Sequence, residues 1–270
     1  MNETAAYYKG RVAIVTGGAS GIGLALGETM LAYEASHIIL ADFNDLNLAR
    51  ETERLNAAYQ GKVLGCHCDV TKEEDVRKMM QSAVEFGGGR IDFLFNNAGA
   101  GFLGPFEELT NEDWEKAFAL NFYGALYGIR SVLPIMRAQG SGHIVNIISG
   151  IAFFPMASQT MYSATKAALN GLTLALRYEL WDDQIRVTSA TPGTTITAIW
   201  KDITPPAEAQ SAEQSATRIL AGVAKNERIV LGDDADLNGI KKCFDPDAAE
   251  YYDAHLLSVA RKRKSGEWVF

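Results

Sequence analysis

Short apolar runs alternate with longer amphipathic segments over most of the chain. The runs contain few polar positions, a pattern typical of strands that are covered on both faces. The longer segments carry the helical spacing of apolar residues. The predicted strands are residues 12–16, 37–41, 63–68, 93–96, 143–148, 186–190 and 228–231. The predicted helices are residues 24–31, 45–59, 72–86, 112–136, 162–181 and 212–225.

Regular β-α-β alternation predicts one α/β domain, in which helices cover both faces of a doubly wound parallel sheet of about seven strands. No linker or repeat divides the first 200 residues, so we expect a single domain over residues 1–270. A helix-capping signal agrees with this assignment, because Thr110 followed by Asp113 can cap the N-terminus of the fourth helix.

Two C-terminal segments depart from this alternation. Residues 194–211 contain Pro205-Pro206 and mixed polar residues. We expect a substrate lid there, at about 194–215, over the sheet edge where open parallel sheets bind ligands. Residues 232–270 form a charged tail with no further strand pattern. Its basic run, Arg261-Lys262-Arg263-Lys264, is interpreted as a solvated helix end, the alternative being contact with an anionic membrane or partner.

A glycine-rich loop, Gly17-Gly18-Ala19-Ser20-Gly21-Ile22-Gly23, joins the first strand to the first helix. Glycine permits the tight turn and lets a pyrophosphate approach the backbone, while the helix N-terminus offers free N–H groups to the anion. Alone, the loop could be a plain tight turn. Asp42 makes that alternative weaker, because an acidic residue about 20 positions beyond the loop can bind the adenosine ribose. We therefore expect a Rossmann fold.

Asp42 also bears on the choice of cofactor. A carboxylate at this position would repel a 2′-phosphate, and no Arg or Lys stands at Ala19, Ser20 or Phe43 to offset it. The sequence therefore favours NAD(H) over NADP(H).

Tyr162 and Lys166 are four residues apart on one predicted helix, so their side chains share a face. An ammonium about 4.5 Å from the phenol, at an effective dielectric of about 20, would contribute roughly 3–4 kcal/mol and lower the tyrosine pKa by about two to three units. Tyr162 could then act as a general base in alcohol oxidation and a general acid in carbonyl reduction. The preceding strand delivers Ser149 to the same sheet edge, where its hydroxyl could donate to a developing alkoxide.

These residues resemble the short-chain dehydrogenase/reductase family over roughly residues 9–197. Its Thr-Gly-x-x-x-Gly-x-Gly element begins here at Thr16, and its Asn-Asn-Ala-Gly element is Asn96-Asn97-Ala98-Gly99. Pro192-Gly193, followed by Thr197, matches the segment that flanks the nicotinamide. The residues that match the family's catalytic tetrad in order and spacing are Asn121, Ser149, Tyr162 and Lys166.

The resemblance implies further roles. Asp69 and Val70 would contact the adenine, Lys166 would also bind the nicotinamide ribose, and Asn121 would hold a water that connects Lys166 with solvent. The predicted cofactor contacts are Gly17, Ser20, Gly21, Ile22, Gly23, Asp42, Asp69, Val70, Asn97, Ala98, Gly99, Tyr162, Lys166, Pro192, Gly193, Thr195 and Thr197. The helices at 112–136 and 162–181 would form the interface of a homodimer or homotetramer.

The chain also departs from the family pattern. Ala35 stands at a helix end where relatives usually carry glycine, which would cost stability if the position is left-handed. Thr195 replaces an aliphatic residue beside the nicotinamide. The usual Asp-Gly-Gly ending is absent, which puts the tetramer contacts in doubt.

Composition excludes several function classes. A net charge of −8 argues against nucleic-acid binding. No apolar run reaches the roughly 20 residues of a membrane span, and the first ten residues lack the apolar core of a signal peptide. Three cysteines cannot all pair, so we expect a reduced, cytoplasmic protein. Cys66-His67-Cys68 predicts no metal site, because His67 would point away from both thiols and no second cluster supplies ligands.

The residues expected near the reacting centre are largely apolar, for example Phe154 and Met156. They favour a hydrophobic secondary alcohol or ketone, such as an alicyclic, aromatic or steroid-like compound, although half of them could simply pack the core. The alternatives are a 3-oxoacyl thioester reductase of the same family and a non-catalytic dinucleotide sensor. The predicted substrate contacts are Ser149, Ile151, Phe153, Ile199 and Trp200.

Overall fold

Seven parallel strands form one sheet in the structure, a computed structural model that describes residues 3–197 and 204–267. The strand order is β3-β2-β1-β4-β5-β6-β7. This order confirms the predicted doubly wound sheet. The strands are β1 (Val12–Thr16), β2 (His37–Asp42), β3 (Val63–His67), β4 (Phe93–Asn96), β5 (Gly142–Ile147), β6 (Ile185–Ala190) and β7 (Ile229–Val230).

Helices cover both faces of the sheet. Alternate residues of β1 face opposite sides, so Ala13 and Val15 join one apolar layer and Val12 and Ile14 the other. The helices are α1 (Glu3–Tyr8), α2 (Gly21–Ala32), α3 (Asp45–Tyr59), α4 (Glu73–Phe86), α5 (Asn111–Phe118), α6 (Gly124–Gln139), α7 (Thr160–Glu179), α8 (Ala212–Ala224), α9 (Asp234–Cys243) and α10 (Ala249–Lys264). Within the described residues, no helix is long and apolar enough to cross a membrane.

The helix predicted at 112–136 is interrupted in the structure. A capping box between Thr110 and Asp113 starts α5, as predicted. One π-helical turn, Ala119–Tyr123, then separates α5 from α6. Such turns insert a residue into the helical ladder and often mark functional sites. The turn carries Asn121.

Ala35 does not take the left-handed conformation, so the loss of stability that was expected in that case does not arise. Glu34 takes the left-handed conformation instead, with φ of 64°. The Ala35 N–H then donates to the Met30 carbonyl at 3.0 Å, and the Glu34 N–H donates to the Leu31 carbonyl at 3.0 Å. This pair of bonds closes the end of α2 as glycine would in the same place.

The N-terminal helix α1, which the pattern did not predict, is fixed to the domain by two tyrosines. The buried Tyr8 hydroxyl donates to the Leu220 carbonyl of α8 at 2.8 Å. The Tyr7 hydroxyl lies 3.0 Å from Nδ1 of His143, whose Nε2 lies 2.9 Å from the Thr188 hydroxyl. Burial, reinforced by the Arg186 and Arg177 charges, lowers the pKa of His143 to about 3. His143 is therefore a neutral hydrogen-bonding group of the core.

The C-terminal helices α9 and α10 pack over the loop that follows β5. The Cys243 thiol of α9 donates to the Phe153 carbonyl at 3.2 Å. Arg263 of α10 is buried and donates to the Ala157 carbonyl and to Oε1 of Gln159, both at 2.8 Å. The prediction of a solvated basic helix end is therefore wrong for Arg263, although the other three residues of the run are exposed.

Replacement of Arg263 should release this packing. We expect Arg263→Ala to lower the free energy of unfolding by about 2–3 kcal/mol, because the buried Gln159 oxygen and the part-buried Ala157 carbonyl lose a charged donor. Arg261→Ala, which changes an exposed arginine of the same helix, should shift it by no more than about 0.5 kcal/mol. Chemical denaturation measures both values. Equal effects of the two changes would contradict the docking role of Arg263.

Candidate active site

The carboxyl ends of β1, β4, β5 and β6 meet at one edge of the sheet, and the loops that follow them surround a cleft. Ligands bind at this edge in open parallel sheets, where the strand order reverses. Here the reversal falls between β1 and β4.

Two glycines of the loop after β1 lie where a side chain would clash with the neighbouring backbone. Gly17 has a φ of 62°, and a Cβ added there would lie 3.0 Å from the Ala98 Cα. A Cβ at Gly23 would lie 2.1 Å from the Gly17 carbonyl oxygen. The loop therefore turns as tightly as a pyrophosphate-binding loop requires.

The start of α2 and Asp42 are arranged for a dinucleotide. Ser20 is the N-cap of α2, but its side chain makes no capping hydrogen bond. The first N–H groups of α2 therefore face the cleft without a side-chain cap. Asp42 is buried at the end of β2, where Oδ2 accepts from the Ala19 N–H at 3.1 Å and Oδ1 accepts from the Asn44 N–H at 3.0 Å. These groups fit a diphosphate and the adjoining ribose.

Asn97 links the loop after β4 to the loop after β1. Its side-chain amide donates to the Thr16 carbonyl at 2.9 Å, and its backbone N–H donates to the Thr16 hydroxyl at 3.0 Å. The Ala98 N–H donates to the same hydroxyl at 3.1 Å. Asn96, the first residue of the Asn-Asn-Ala-Gly element, is buried, and its side chain donates to Oδ1 of Asn146 at 2.8 Å.

Asp69 and Val70, expected at the adenine, lie beyond the end of β3. Burial raises the pKa of Asp69, but hydrogen bonds from Thr71 and Lys72 outweigh it and leave the pKa below its ordinary value. Val70 is buried, and a Cβ added to Gly124 would lie 2.9 Å from its Cγ2. Val70 therefore packs against the start of α6.

Hydrogen bonds to the Pro192 carbonyl hold the segment after β6 in place. The Pro192 carbonyl accepts from the Thr195 hydroxyl, the Gln210 amide and the Ser215 hydroxyl at 2.7–2.9 Å. The Ile196 N–H donates to the Gln210 carbonyl at 2.9 Å, which joins the two ends of the region predicted as a lid. Thr197 reaches the glycine-rich loop, since a Cβ on Gly21 would lie 3.3 Å from its Cγ2.

Ser149, Tyr162 and Lys166 come together beside this cleft, at the end of β5 and the start of α7. The buried Lys166 ammonium donates to the Ile147 carbonyl at 2.9 Å and lies 5.9 Å from the centre of the Tyr162 ring. A Cβ on Gly99 would lie 3.3 Å from the Lys166 Nζ. The loop after β4, the end of β5 and the start of α7 therefore meet beside the cleft.

The pKa of Tyr162 differs from the expected direction. Burial raises it above its ordinary value, a hydrogen bond with Ser149 opposes the rise, and the charge of Asp236 adds to it. Burial also lowers the pKa of Lys166 to about 8. Loss of solvation acts against both ionised side chains, whereas the expected shift considered only the attraction between their charges.

Asn121 lies in the π-helical turn with its side chain fully engaged. Its amide N–H groups donate to the Ala100 carbonyl at 3.0 Å and the Thr165 hydroxyl at 3.1 Å, and Oδ1 accepts from the Ala100 N–H at 3.0 Å. Thr165 precedes Lys166 on α7. Asn121 thereby ties the loop after β4 to α7.

Two of the predicted substrate contacts have neighbours outside the catalytic set, and their contact with substrate stays a prediction. Ile151 lines a cavity of about 480 Å³ together with Ala164 and Ala167, which lie on the side of α7 opposite Tyr162 by helical periodicity. Phe153 packs in an apolar cluster with Ile148 and Leu169. The packing of Phe153 favours the alternative in which such side chains pack the interior. Ile199 and Trp200 lie outside the described residues.

Asp236, at the start of α9, is a site residue that the sequence analysis missed. A Cβ on Gly150 would lie 2.1 Å from its Oδ1, so the carboxylate sits against the residue that follows Ser149. Burial raises the pKa of Asp236 to about 6, a hydrogen bond from Thr191 opposes the rise, and the charge of Asp233 adds to it. The only sequence signal was the acidic run at 233–236, which is typical of a helix start.

The Cys66-His67-Cys68 segment has the predicted geometry. Both cysteines belong to one apolar layer, whereas Nδ1 of His67 lies 2.7 Å from Oδ1 of Asp45 on α3. Burial raises the pKa of both thiols, that of Cys68 to about 12. In the described ranges, no group of three or more His, Cys, Asp or Glu side chains could hold a metal ion.

Known proteins resemble the chain across most of its length. The family model described as short chain dehydrogenase matches residues 11–208. An uncharacterized oxidoreductase of Staphylococcus saprophyticus is 39% identical over 183 residues, 68% of this chain and 77% of the relative. These matches identify the protein as an oxidoreductase. The chain belongs to the short-chain dehydrogenase family, whose members bind a nicotinamide dinucleotide.

Solved structures agree with this assignment. A short-chain dehydrogenase/reductase from Burkholderia phymatum in complex with NAD is 28% identical, with a TM-score of 0.79 over 89% of this chain and 94% of that one. L-Sorbose reductase from Gluconobacter frateurii, complexed with NADPH and L-sorbose, is also 28% identical, with a TM-score of 0.75 over 83% and 95%. The two neighbours thus hold different dinucleotides.

Because the pKa of Asp236 is raised, we expect the free energy of unfolding to depend on pH. Between the ordinary value of 3.8 and about 6, the folded chain binds a proton that the unfolded chain releases. The carboxylate therefore destabilises the fold increasingly as pH rises through 6. We expect Asp236→Asn to raise the free energy of unfolding by about 3 kcal/mol near pH 8 and by roughly half as much near pH 5.

Urea denaturation at the two pH values measures this difference. Asp234→Asn changes an exposed acid of the same helix and serves as the control, with no resolvable effect expected. A loss of stability in Asp236→Asn at about pH 8 would contradict the assignment.

Proposed function

We propose that the protein is an NAD(H)-dependent oxidoreductase that interconverts a secondary alcohol and a ketone, with Tyr162 as general acid and base. The observation that carries this proposal is the convergence of Ser149, Tyr162 and Lys166 at the cleft beside the glycine-rich loop. A protein that only sensed dinucleotide would not need a phenol, a hydroxyl and an ammonium in this arrangement.

In this mechanism each side chain has one task. Ser149 donates a hydrogen bond to the carbonyl oxygen and orients it towards the Tyr162 phenol. Tyr162 gives its proton to that oxygen in reduction and takes it back in alcohol oxidation. A reduced nicotinamide, if bound in the cleft beside the glycine-rich loop, would supply the hydride. Because its pKa is raised, Tyr162 is a neutral phenol at neutral pH and starts as the proton donor.

Lys166 and Asn121 support this proton transfer. The Lys166 ammonium, positive below its pKa of about 8, stabilises the tyrosinate that remains after the proton is given away. Its bond to the Ile147 carbonyl fixes it at the end of β5. Asn121 holds the π-helical turn against Thr165 and so keeps the start of α7 in place.

Removal of the phenol hydroxyl should separate binding from turnover. We expect Tyr162→Phe to lower kcat for ketone reduction at least about 100-fold, since general acid catalysis typically contributes that much. NADH affinity, measured by fluorescence titration, should change less than about threefold. Tyr251→Phe, at an exposed position of α10, is the control. Unchanged turnover in Tyr162→Phe would refute the mechanism.

The preference for NAD(H) is supported by the environment of Asp42. Its carboxylate is fixed against the Ala19 N–H, so its charge cannot turn away from a 2′-phosphate. Similarity alone does not decide between the two dinucleotides, because one solved relative holds NAD and another holds NADPH. The fixed carboxylate favours NAD(H).

A substitution at Asp42 tests this preference. The kcat/KM for NADH should exceed that for NADPH by at least about tenfold, and Asp42→Asn should reduce the ratio about tenfold, equivalent to roughly 1.4 kcal/mol. Asn preserves an acceptor for the Ala19 N–H. Asp45→Asn, at the exposed start of α3, should leave the ratio unchanged. A wild-type preference for NADPH would contradict the role of Asp42.

We propose a hydrophobic alcohol or ketone as substrate. The support is the Phe154 ring, which packs beside Gly150, since a Cβ there would lie 2.4 Å from the Phe154 Cζ. A 3-oxoacyl thioester remains the second candidate within the family, but no described contact favours it.

The assembly we propose is a homodimer or homotetramer through α6 and α7. Its support is a set of large apolar side chains that are exposed on these helices or next to them, as expected for an interface. They are Tyr123, Tyr178 and Trp181.

A further inference from the structure

The turn that leads into α7 contains a backbone conformation that its own sequence does not favour. Ser158 has a φ of 60°, in the left-handed region that residues other than glycine seldom adopt. The Gln159 N–H donates to the Met156 carbonyl at 3.2 Å and closes the turn. A strained conformation of this kind persists only where the surrounding structure fixes it. Contacts from other elements must therefore hold residues 156–159.

Two distant elements hold this turn. The Gly104 N–H, in the loop after β4, donates to the Ser158 carbonyl at 3.0 Å. Arg263 of α10 is buried, and one of its guanidinium nitrogens donates to the Ala157 carbonyl and to Oε1 of Gln159, both at 2.8 Å. Its other terminal nitrogen lies 3.5 Å from the sulfur of the methionine that begins the turn. The planar fork of the arginine thus contacts three of the four residues of the turn.

Gln159 connects this turn to the first turn of α7. It is the N-cap residue of the helix, but its side chain makes no capping hydrogen bond and binds Arg263 instead. Its carbonyl accepts from the Ser163 N–H at 2.8 Å, which is the first hydrogen bond of the helix. Tyr162 lies within the helical turn that this bond closes. A shift of Gln159 therefore shifts the backbone that carries the phenol.

We propose that Arg263 is a positioning residue for Tyr162, because it holds the turn from which α7 begins. The inference rests on the proposed function, in which Tyr162 carries the proton. Asn121 fixes Thr165, on the C-terminal side of the tyrosine, at 3.1 Å. Arg263 fixes Gln159 on the N-terminal side. The phenol is thus held between two anchors, of which α10 supplies one.

The test is a double-mutant cycle on ketone reduction by the whole chain. Single-turnover oxidation of NADH, with the protein in excess, gives the rate for whichever of cyclohexanone, decalone and tetralone is reduced fastest. We expect Arg263→Ala to lower this rate at least about tenfold, because a displacement of about 1 Å at a reacting group can cost about 100-fold. In Tyr162→Phe, the same change should lower the remaining rate less than about twofold, since the phenol that Arg263 positions is gone.

The cycle isolates positioning, because a merely structural loss would lower the rate by the same factor in both backgrounds. Fluorescence titration with NADH counts the folded protein in each variant. The matched control, Arg261→Ala, changes an exposed arginine of the same helix and should leave the rate unchanged. Should Arg263→Ala fail to fold, Arg263→Lys keeps the charge without the planar fork. Its rate should fall at least about threefold, with no resolvable change in the Tyr162→Phe background.

The outcomes separate this inference from the proposed function. Equal factors in the two backgrounds, or an unchanged rate in the variant that folds, would overturn the role of Arg263 and leave the proposed function in place. Absence of any ketone reduction by the wild type, or an unchanged rate in Tyr162→Phe, would overturn the proposed function and this inference with it.

Discussion

Parallel strands pair only when each crossover returns the chain to the same end of the sheet, and this constraint governs the whole molecule. It brings the carboxyl ends of β1, β4, β5 and β6 to one edge, although they are far apart in sequence. The loops that follow must then share a small space. Asn97 and Thr16 bind two of these loops together, and Asn121 binds one of them to α7.

The second constraint is the cost of burying charge at that edge. Lys166 and Asp236 are both buried, and burial shifts the pKa of each towards its neutral form. The same loss of solvation raises the pKa of Tyr162. These shifts place the protonated phenol of Tyr162 and the buried carboxylate of Asp236 near one another. The ionised form of Asp236 lowers the stability of the fold there.

Sequence patterns were sufficient for the sheet, because its strands are nearly continuous apolar runs that alternate regularly with helical segments. They also located Ser149, Tyr162 and Lys166, since strand ends and helical spacing place them. The π-helical turn was not predictable, because its residues have ordinary helical spacing and the contact of Asn121 with Ala100 joins positions 21 residues apart. Asp236 was not predictable either. It reaches the site through the packing of α9 on Phe154, a contact between positions far apart in sequence.

The most direct test of the account follows the hydride itself. The protein is incubated with NADH that carries deuterium at C4 of the nicotinamide, on either face, together with a panel of apolar and hydroxylated cyclic ketones. Mass spectrometry should find deuterium on the carbinol carbon of at least one alcohol product. Binding of NADH without deuterium transfer to any ketone of the panel would contradict the central claim that this site is a carbonyl reductase.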